Sequence, residues 1–399
     1  MFPQQSSEPL RIVIGAETYA PEVNGAARFA QRLATGLAQH GHEVHVICPA
    51  ATGTVSDTEE DGVIVHRLRS HRWYPHPTWQ ICFPWETKPA VQALLEEIQP
   101  DVVHVQAHFV IGRFLIKGAK RRGIPLAATN HFMPDNVAPY VSVPKPILDA
   151  GIRWAWRDLR KQFQKADVIT TPTQLAADLL TEHGFNHEIR AISCGIDLSG
   201  FTPATVDTSA AAKDKDARTV LFVGRLAEEK HVDQIIKAVA LTDPALNVRA
   251  EIVGSGEQLE NLENLARSLG VANRVSFLGK ISDEELAKAY ARCTLFCLPG
   301  TAELQSIATL EAMATGKPVV LADAVALPHL VREGYNGYLF TPGVTVELAE
   351  QISKIAALDA DALAAMGEAS ATMVAKHDIG NTLKSFEEIY RSIPAGHRR

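Results

Sequence analysis

The chain alternates short, almost wholly apolar runs with longer stretches in which apolar residues recur every three or four positions. RIVIGA (11–16), EVHVIC (43–48), GVIVHRL (62–68), DVVHVQ (101–106), PLAAT (125–129) and ADVITT (166–171) are the apolar runs of the first half. Runs this short and continuous predict strands buried on both faces, and the stretches between them predict covering helices, the first over 26–40. The alternation stops near 202–218, where PATVDTSAAAKDKDA has Val206 as its one large apolar residue. That composition predicts a linker over 203–217. The alternation restarts with RTVLFVG (218–224), VRAEIVG (248–254), RVSFLG (274–279), CTLFCLP (293–299) and PVVLAD (318–323). The expected fold is α/β, with two Rossmann-like doubly wound domains at 1–202 and 218–377. A last helical segment lies within 378–399, and the first domain is a candidate partner for it. Such sheets bind ligands beyond the carboxyl ends of their strands, so two of them predict a cleft between the domains.

Composition narrows the class. The 399 residues are 46% hydrophobic and 21% charged, enough to bury two cores. Lys and Arg number 39 against 46 Asp and Glu, a net −7, which argues against a general nucleic-acid binder. No apolar run reaches the roughly 18 residues of a membrane-spanning helix. The opening residues also lack the basic-then-apolar order of an export signal. Cys48, Cys82, Cys194, Cys293 and Cys297 are scattered, mostly within apolar runs. They are expected to be buried, reduced thiols of a cytoplasmic protein. Two Asp-x-Asp triplets, at 214–216 and 359–361, fall in the linker and in a helical stretch. They read as solvated surface, and no metal site is expected.

Four segments carry candidate chemistry. In FVGRLAEEKHVDQII (222–236) a strand ends at Gly224, and Arg225 and Lys230 follow before a helix. Two cations at a strand's carboxyl end are placed to neutralise a phosphate or diphosphate. In GTAELQSIATLEAMATGKPVVLAD (300–323), Glu303 and Glu311 flank the start of a helix at about Ser306. The backbone amides of Ser306, Ile307 and Ala308 would be that helix's orphan donors, which suit an anionic phosphate. A carboxylate accepts two hydroxyl hydrogen bonds at once, so Glu311 suits a ribose diol and Glu303 a second sugar. In ETYAPEVNGAARFAQRLATGLAQHGHEV (17–44), Asn24 and Gly25 precede a helix, and a glycine there lets the backbone approach a ligand. In AATNHFMPDN (127–136), His131 follows a strand and reads as a hydrogen-bond donor to a sugar. A possible dinucleotide fingerprint, VGSGEQLEN (253–261), is incomplete, because Leu259 stands where its third glycine belongs.

In order and spacing these segments resemble family 4 of the retaining glycosyltransferases, which have the GT-B fold, over nearly the whole chain. The resemblance implies roles for particular residues. Arg225 and Lys230 would hold a donor diphosphate, with the amides of Ser306, Ile307 and Ala308 assisting. Glu311 would bind the nucleotide ribose and Glu303 the donor sugar. His131 would contact the transferred sugar, and Gly25 would approach the diphosphate. In FLGKIS (277–282), Lys280 and Ile281 would meet the base. Tyr19 and Asn24 would face the acceptor. His131, Arg225, Lys230 and Glu303 would be the catalytic set. There are departures from the family pattern. Ala26 replaces a second glycine, and Leu304-Gln305-Ser306 replaces Pro-Phe-Gly. Both bear on sugar identity, and Gln305 is a candidate for shaping the sugar pocket.

The Asn-Gly loop, TNHFMPDN and AELQSIATLEAMA look most like GDP-mannose-dependent α-mannosyltransferases of actinobacterial envelopes. Their acceptors are phosphatidylinositol mannosides or glucuronosyl diacylglycerol. The alternatives are a UDP-sugar-dependent glucosyl- or sulfoquinovosyltransferase on diacylglycerol, or a soluble acceptor. The expected partners are thus a nucleotide sugar, a glycolipid and an anionic membrane surface met peripherally from the cytoplasm, with no cofactor and no nucleic acid. Two stretches bear on the membrane. HRWYPHPTWQICFPWETK (71–88) gathers Trp73, Tyr74, Trp79, Phe83 and Trp85. Residues 113–165 hold eleven basic and three acidic side chains, a local +8 inside a chain of −7, with Trp154 and Trp156 among them.

Overall fold

The computed structural model describes residues 8–22, 24–73, 80–135, 143–198 and 217–394. The chain forms two units, Met1–Ser193 with Gly380–Arg399, and Cys194–Ile379. Sequence pattern ends the first domain at 202, ahead of a linker over 203–217, whereas the compact units divide at Ser193/Cys194. The reason is local. Cys194 donates its backbone N–H to Gln305 Oε1 at 2.7 Å, and Ile196 bridges to Asp378, so this segment is already held by the second unit. Residues 203–216 of the expected linker, with the first Asp-x-Asp triplet, lie outside the described residues, as do Tyr74, Trp79 and Asn136.

In the first unit the strands are β1 (Arg11–Gly15), β2 (Glu43–Pro49), β3 (Ser56–Glu60), β4 (Val63–Leu68), the small pair β5 (His71–Arg72) and β6 (Gln80–Ile81), then β7 (Val102–Val105), β8 (Leu126–Thr129), β9 (Val168–Thr171) and β10 (Ile189–Ala191). Among the described residues the main sheet runs β10-β9-β8-β7-β1-β2-β4-β3, parallel except for β3 against β4. Helices α1 (Gly25–Gln39), α2 (Pro84–Ile98), α3 (Val110–Arg122), α4 (Lys145–Phe163) and α5 (Gln174–Glu182) connect the strands. Val13, Ile47, Val103, Val105, Leu115 and Phe163 are among the residues of a fully buried core. The strand order reverses direction between β1 and β7, which makes their carboxyl ends the switch point of the sheet.

The second unit has β11 (Arg218–Val223), β12 (Val248–Val253), β13 (Val275–Gly279), β14 (Leu295–Leu298), β15 (Val319–Ala322) and β16 (Gly337–Phe340). They form an all-parallel sheet in the order β13-β12-β11-β14-β15-β16, with the switch point between β11 and β14. Its helices are α6 (Val232–Leu241), α7 (Leu259–Ser268), α8 (Asp283–Arg292), α9 (Ile307–Ala314), α10 (Thr345–Ala356) and α11 (Ala360–Val374). Phe222, Ile252, Tyr290, Phe296, Val320 and Ile352 pack in its core. Asp359 of the second Asp-x-Asp triplet caps α11, accepting from Ala362 N at 2.8 Å. All five cysteines are free and buried.

Helix α12 (Ile379–Ser392) completes the first unit, which counts its residues from Gly380 on. Gly36 on α1 makes room for it, since a Cβ there would lie 2.6 Å from Leu383 Cδ1. His42 accepts the Leu10 amide on Nδ1, so its Nε2 carries the proton and donates to Glu387 at 3.0 Å. Deeper in, the ring of His104 stands between Tyr390 Oη at 2.7 Å and Thr129 Oγ1 at 2.6 Å. Burial pushes His104 and His131 down to about 3, and His108 down to about 4. An unfolded histidine titrates near 6.5, so between these limits each ring binds more protons unfolded than folded. The stability a ring contributes is complete above pH 6.5 and falls as pH drops below it, while Glu17 and Glu22, pushed up to about 7 by burial, act in the opposite sense. The ring contribution is therefore read by difference: between pH 7.5 and pH 5 the unfolding free energy of His104→Asn should change relative to the parent's by up to roughly 1 kcal/mol per pH unit, the parent losing more. An identical pH dependence in parent and variant would show that the ring is not held neutral.

Candidate active site

In the second unit the candidate groups gather at the switch point, on the loops after β11 and β14. The β11 loop turns tightly because two glycines of the next loop let it in. A Cβ on Gly254 would lie 1.8 Å from the Gly224 carbonyl oxygen, and one on Gly256 would lie 2.2 Å from that of Leu226. These contacts explain the glycines of VGSGEQLEN without a dinucleotide. Leu226 then donates its N–H to Ser255 O at 3.0 Å, and a short 3-10 turn (Glu228–Lys230) presents Lys230. The β14 loop is tied to the same turn. Thr301 N donates to Glu229 O at 3.3 Å, and Thr301 Oγ1 lies 3.1 Å from His231 Nε2. These ties bring Glu303 onto Lys230 as a half-buried ion pair, while Arg225 pairs with Glu229. Lys230 and Glu303 thus come together from positions 73 apart in the chain.

Ser306 is the N-cap of α9. Its Oγ accepts from Thr309 N at 3.2 Å and from Thr309 Oγ1 at 2.8 Å. This accounts for a serine in place of the family's glycine, since the side chain satisfies one orphan amide itself. Among the described residues the amides of Ile307 and Ala308, one turn end of an eight-residue helix, donate to no acceptor. Glu311 stands in the second turn of α9. It is 2% exposed, because α9 is buried through Thr309–Met313, and it accepts from the Tyr290 hydroxyl at 3.1 Å. Gln305 accepts the Cys194 N–H on its side-chain oxygen at 2.7 Å. Lys280 is exposed after Gly279 (φ 67°), and Ile281 is half-buried against the core. Ser282 and Glu285 then start α8 with a reciprocal capping box.

In the first unit the loops after β1, β7 and β8 bear the candidates. Asn24 caps α1, its Oδ1 accepting from Ala27 N at 2.9 Å. Its side chain is therefore already engaged in starting the helix. Gly25 follows at the first helical position with nothing within 4 Å of where a Cβ would stand. Neither backbone conformation nor a neighbouring group in the protein requires a glycine there. Tyr19 is only 5% exposed, so an acceptor finds little of its side chain to touch. His131 is half-buried, packs on Phe29 with ring centroids 4.7 Å apart, and meets Gln106. Sequence reasoning passed over two groups here. Gln106 ended an apolar run and drew no notice. Glu17 accepts from Gly112 N at 3.0 Å, and burial pushes it up to about 7 against the backbone bonds that lower it.

The basic and aromatic stretches divide. Trp156 is a core residue, with its indole N–H donated to Asp135 at 2.9 Å and its ring stacked on His183 at 3.7 Å. Trp154, two positions earlier and so on the opposite face of α4, is 65% exposed. With it on the outer face stand Ile147 and the exposed Arg153, Arg157 and Lys161. Other cations of the stretch are spent internally, Arg113 on Asp158 and Lys120 on Asp167. Phe83 stacks between His71 and Trp85, and Trp85 is exposed. Among the described residues no helix is long and apolar enough to cross a membrane.

Comparison with known proteins fixes the family. Residues 206–373 match the model described as Glycosyl transferases group 1, and residues 23–199 match Glycosyltransferase Family 4. A GDP-mannose-dependent alpha-mannosyltransferase of Mycolicibacterium smegmatis is 30% identical, over 83% of this chain and 84% of its own length. The chain belongs to glycosyltransferase family 4. It is also similar to an alpha-monoglucosyldiacylglycerol synthase of Streptococcus pneumoniae, 25% identical over 83% of this chain and 75% of the other. Sucrose-phosphate synthase from Thermosynechococcus elongatus superposes with a TM-score of 0.79 at 20% identity, covering 95% of this glycosyltransferase and 98% of that chain. That likeness is one of fold, two Rossmann-like domains of the GT-B class.

Proposed function

We propose that this glycosyltransferase moves α-mannose from GDP-mannose, with retention, to a membrane glycolipid of the phosphatidylinositol mannoside or glucuronosyl diacylglycerol type. The observation that carries the donor side is the placement of Lys230, Arg225, Glu303 and the α9 amides on two loops at one sheet switch point, a setting that suits an anionic ligand for which the two cations would exchange their carboxylate partners. The relatives named as GDP-mannose-dependent mannosyltransferases support the choice of sugar and base. In this reading Arg225, Lys230 and the amides of Ser306, Ile307 and Ala308 take the diphosphate. Gly25 approaches it too, and an open first helical position suits that. Glu303 holds the donor sugar, Glu311 the ribose, and Lys280 and Ile281 the base. His131 meets the transferred sugar. Tyr19 and Asn24 border the acceptor through backbone and edge rather than through free side chains.

Chemically, the bond from the anomeric carbon to the phosphate oxygen breaks as the acceptor oxygen bonds to the same face of that carbon. The acceptor's proton passes to the leaving phosphate oxygen. The developing charge is met by preorganised cations and amides, which is transition-state stabilisation of the leaving group. The outer face of α4, with Trp154 and Ile147 among cations, supports peripheral attachment to an anionic bilayer on the cytoplasmic side. A glucosyl transfer to diacylglycerol is the second reading, favoured by the similarity to the streptococcal synthase.

The purified full chain should be offered radiolabelled GDP-mannose, UDP-glucose and other nucleotide sugars, each with a membrane lipid extract and with water-soluble acceptors. Label from GDP-mannose is expected in the lipid phase. Lipid labelling from UDP-glucose alone would establish the second reading, and label confined to soluble products would overturn both.

A further inference from the structure

We propose that Gln106 is a positioning residue that holds His131 in one neutral tautomer, proton on Nε2 and lone pair on Nδ1, so that the ring meets the transferred sugar as a hydrogen-bond acceptor. The inference deepens the proposed function and rests on its reading of His131 as a sugar contact. It also reverses the donor role that sequence alone suggested for this ring.

The argument starts from strand pairing. β7 and β8 are adjacent and parallel, with Val105 opposite Ala128, so Gln106 and His131 leave the sheet at the same edge. The Gln106 amide donates to Gly15 O at 2.9 Å, which fixes where its side chain begins. Its Oε1 then lies 2.8 Å from His131 Nε2. A carbonyl oxygen only accepts, so that nitrogen must carry hydrogen. A neutral imidazole has one N–H, which leaves Nδ1 with its lone pair.

The ring is neutral because burial drives it down to about 3. Among the described residues no charged group raises it. From α1 comes Phe29, and the titratable ring that senses it is His104, itself driven down to about 3 and engaged with Tyr390 of α12 and Thr129. A second observation concerns the other end of the same side chain. Gln106 is 4% exposed, and its Nε2 is a buried donor without a partner among the described residues. Buried amide groups ordinarily find partners. With its N–H end enclosed, the Gln106 carboxamide has one engaged end, Oε1 on His131 Nε2, and a hexose hydroxyl finds its acceptor on His131 Nδ1. Turning the carboxamide over would put its N–H on His131 Nε2 and the ring proton on Nδ1, the opposite tautomer.

Nitrogen NMR of the full chain labelled with 15N-histidine tests this, with His131 assigned by its loss in His131→Asn. At pH 7 the expected signals are a protonated Nε2 and an unprotonated Nδ1. Gln106→Leu should mix the tautomers and lower kcat about tenfold with an unchanged thermal midpoint. Gln106→Glu keeps the acceptor and folds with the same shape, but its charge favours an imidazolium. It should retain activity at pH 8 and gain an acidic limb in kcat that the parent lacks, because a protonated ring has no lone pair to offer. A proton found on Nδ1, or a His131 signal and pH profile indifferent to both substitutions, overturns the proposal. Normal turnover in His131→Ala would instead remove the sugar role on which it rests, leaving the NMR result intact.

Discussion

Lys230→Ala is expected to lower kcat/KM by about a hundred- to a thousand-fold, the scale on which removal of one preorganised charge-stabilising group acts. Lys230 sits on a three-residue turn, not in the core, and its ion pair with Glu303 is half-buried. The thermal midpoint should therefore stay close to that of the parent. The loss should fall mainly on kcat if the ammonium serves the leaving diphosphate as charge develops, and mainly on KM if it only anchors the donor. Arginine should not restore full activity, because its planar fork replaces a compact point charge. Glu303→Ala should lose most turnover for a different reason, the missing acceptor for sugar hydroxyls. Steady-state kinetics with the donor found by the nucleotide-sugar panel reads both variants. Near-normal kcat/KM in Lys230→Ala would remove the residue from the donor site.

Gly254→Ala is expected to destabilise the second unit by about 3 kcal/mol or more, or to prevent it from folding. The backbone there has φ 132°, which a side chain rarely adopts. The added Cβ would meet the carbonyl oxygen of Gly224 at 1.8 Å. That carbonyl has little room to yield, since Gly224 N is bonded to Val253 O at 3.0 Å and Gly254 N to Gly279 O at 2.8 Å. Gly25→Ala makes the matching control. It adds a methyl group in open space at the start of a helix and should leave stability unchanged. Denaturant titration followed by a probe in the second unit compares the two. An unchanged midpoint for Gly254→Ala would mean that the β11 loop can move aside.

The parallel strands were legible because both of their faces are covered, so each reads as an unbroken apolar run. β3 was not legible. Its sequence, SDTEE, is polar at every position, because it pairs on one side only and lies at the edge of the sheet, where charge discourages further pairing. β10 and β16, IRA and GYLF, are edge strands too short to stand out from loop. At the site, loop position carried most of what could be read. Arg225, Lys230 and Glu303 follow strand ends, and strand ends were visible. What the sequence hid depends on packing between distant elements. Glu311 is buried because Tyr290 of α8 reaches it from 21 positions away. Trp154 and Trp156 look alike in sequence, yet one is solvent-facing and the other core. Gln106 gains meaning only when β8 brings His131 beside it.

The return of α12 to the first unit has a consequence for biosynthesis. The residues that seat it, Leu383, Glu387 and Tyr390, follow the whole of Cys194–Ile379 in the chain. The ribosome thus releases an uninterrupted second unit before the first has its last helix. Until then His104 waits without Tyr390, and the notch at Gly36 stands open. A fragment ending at Ser193 inherits that unfinished state permanently, whereas residues 194–379 carry every strand and helix of their own sheet. Dissection of this enzyme into halves is therefore lopsided, with the second unit the natural one to produce alone.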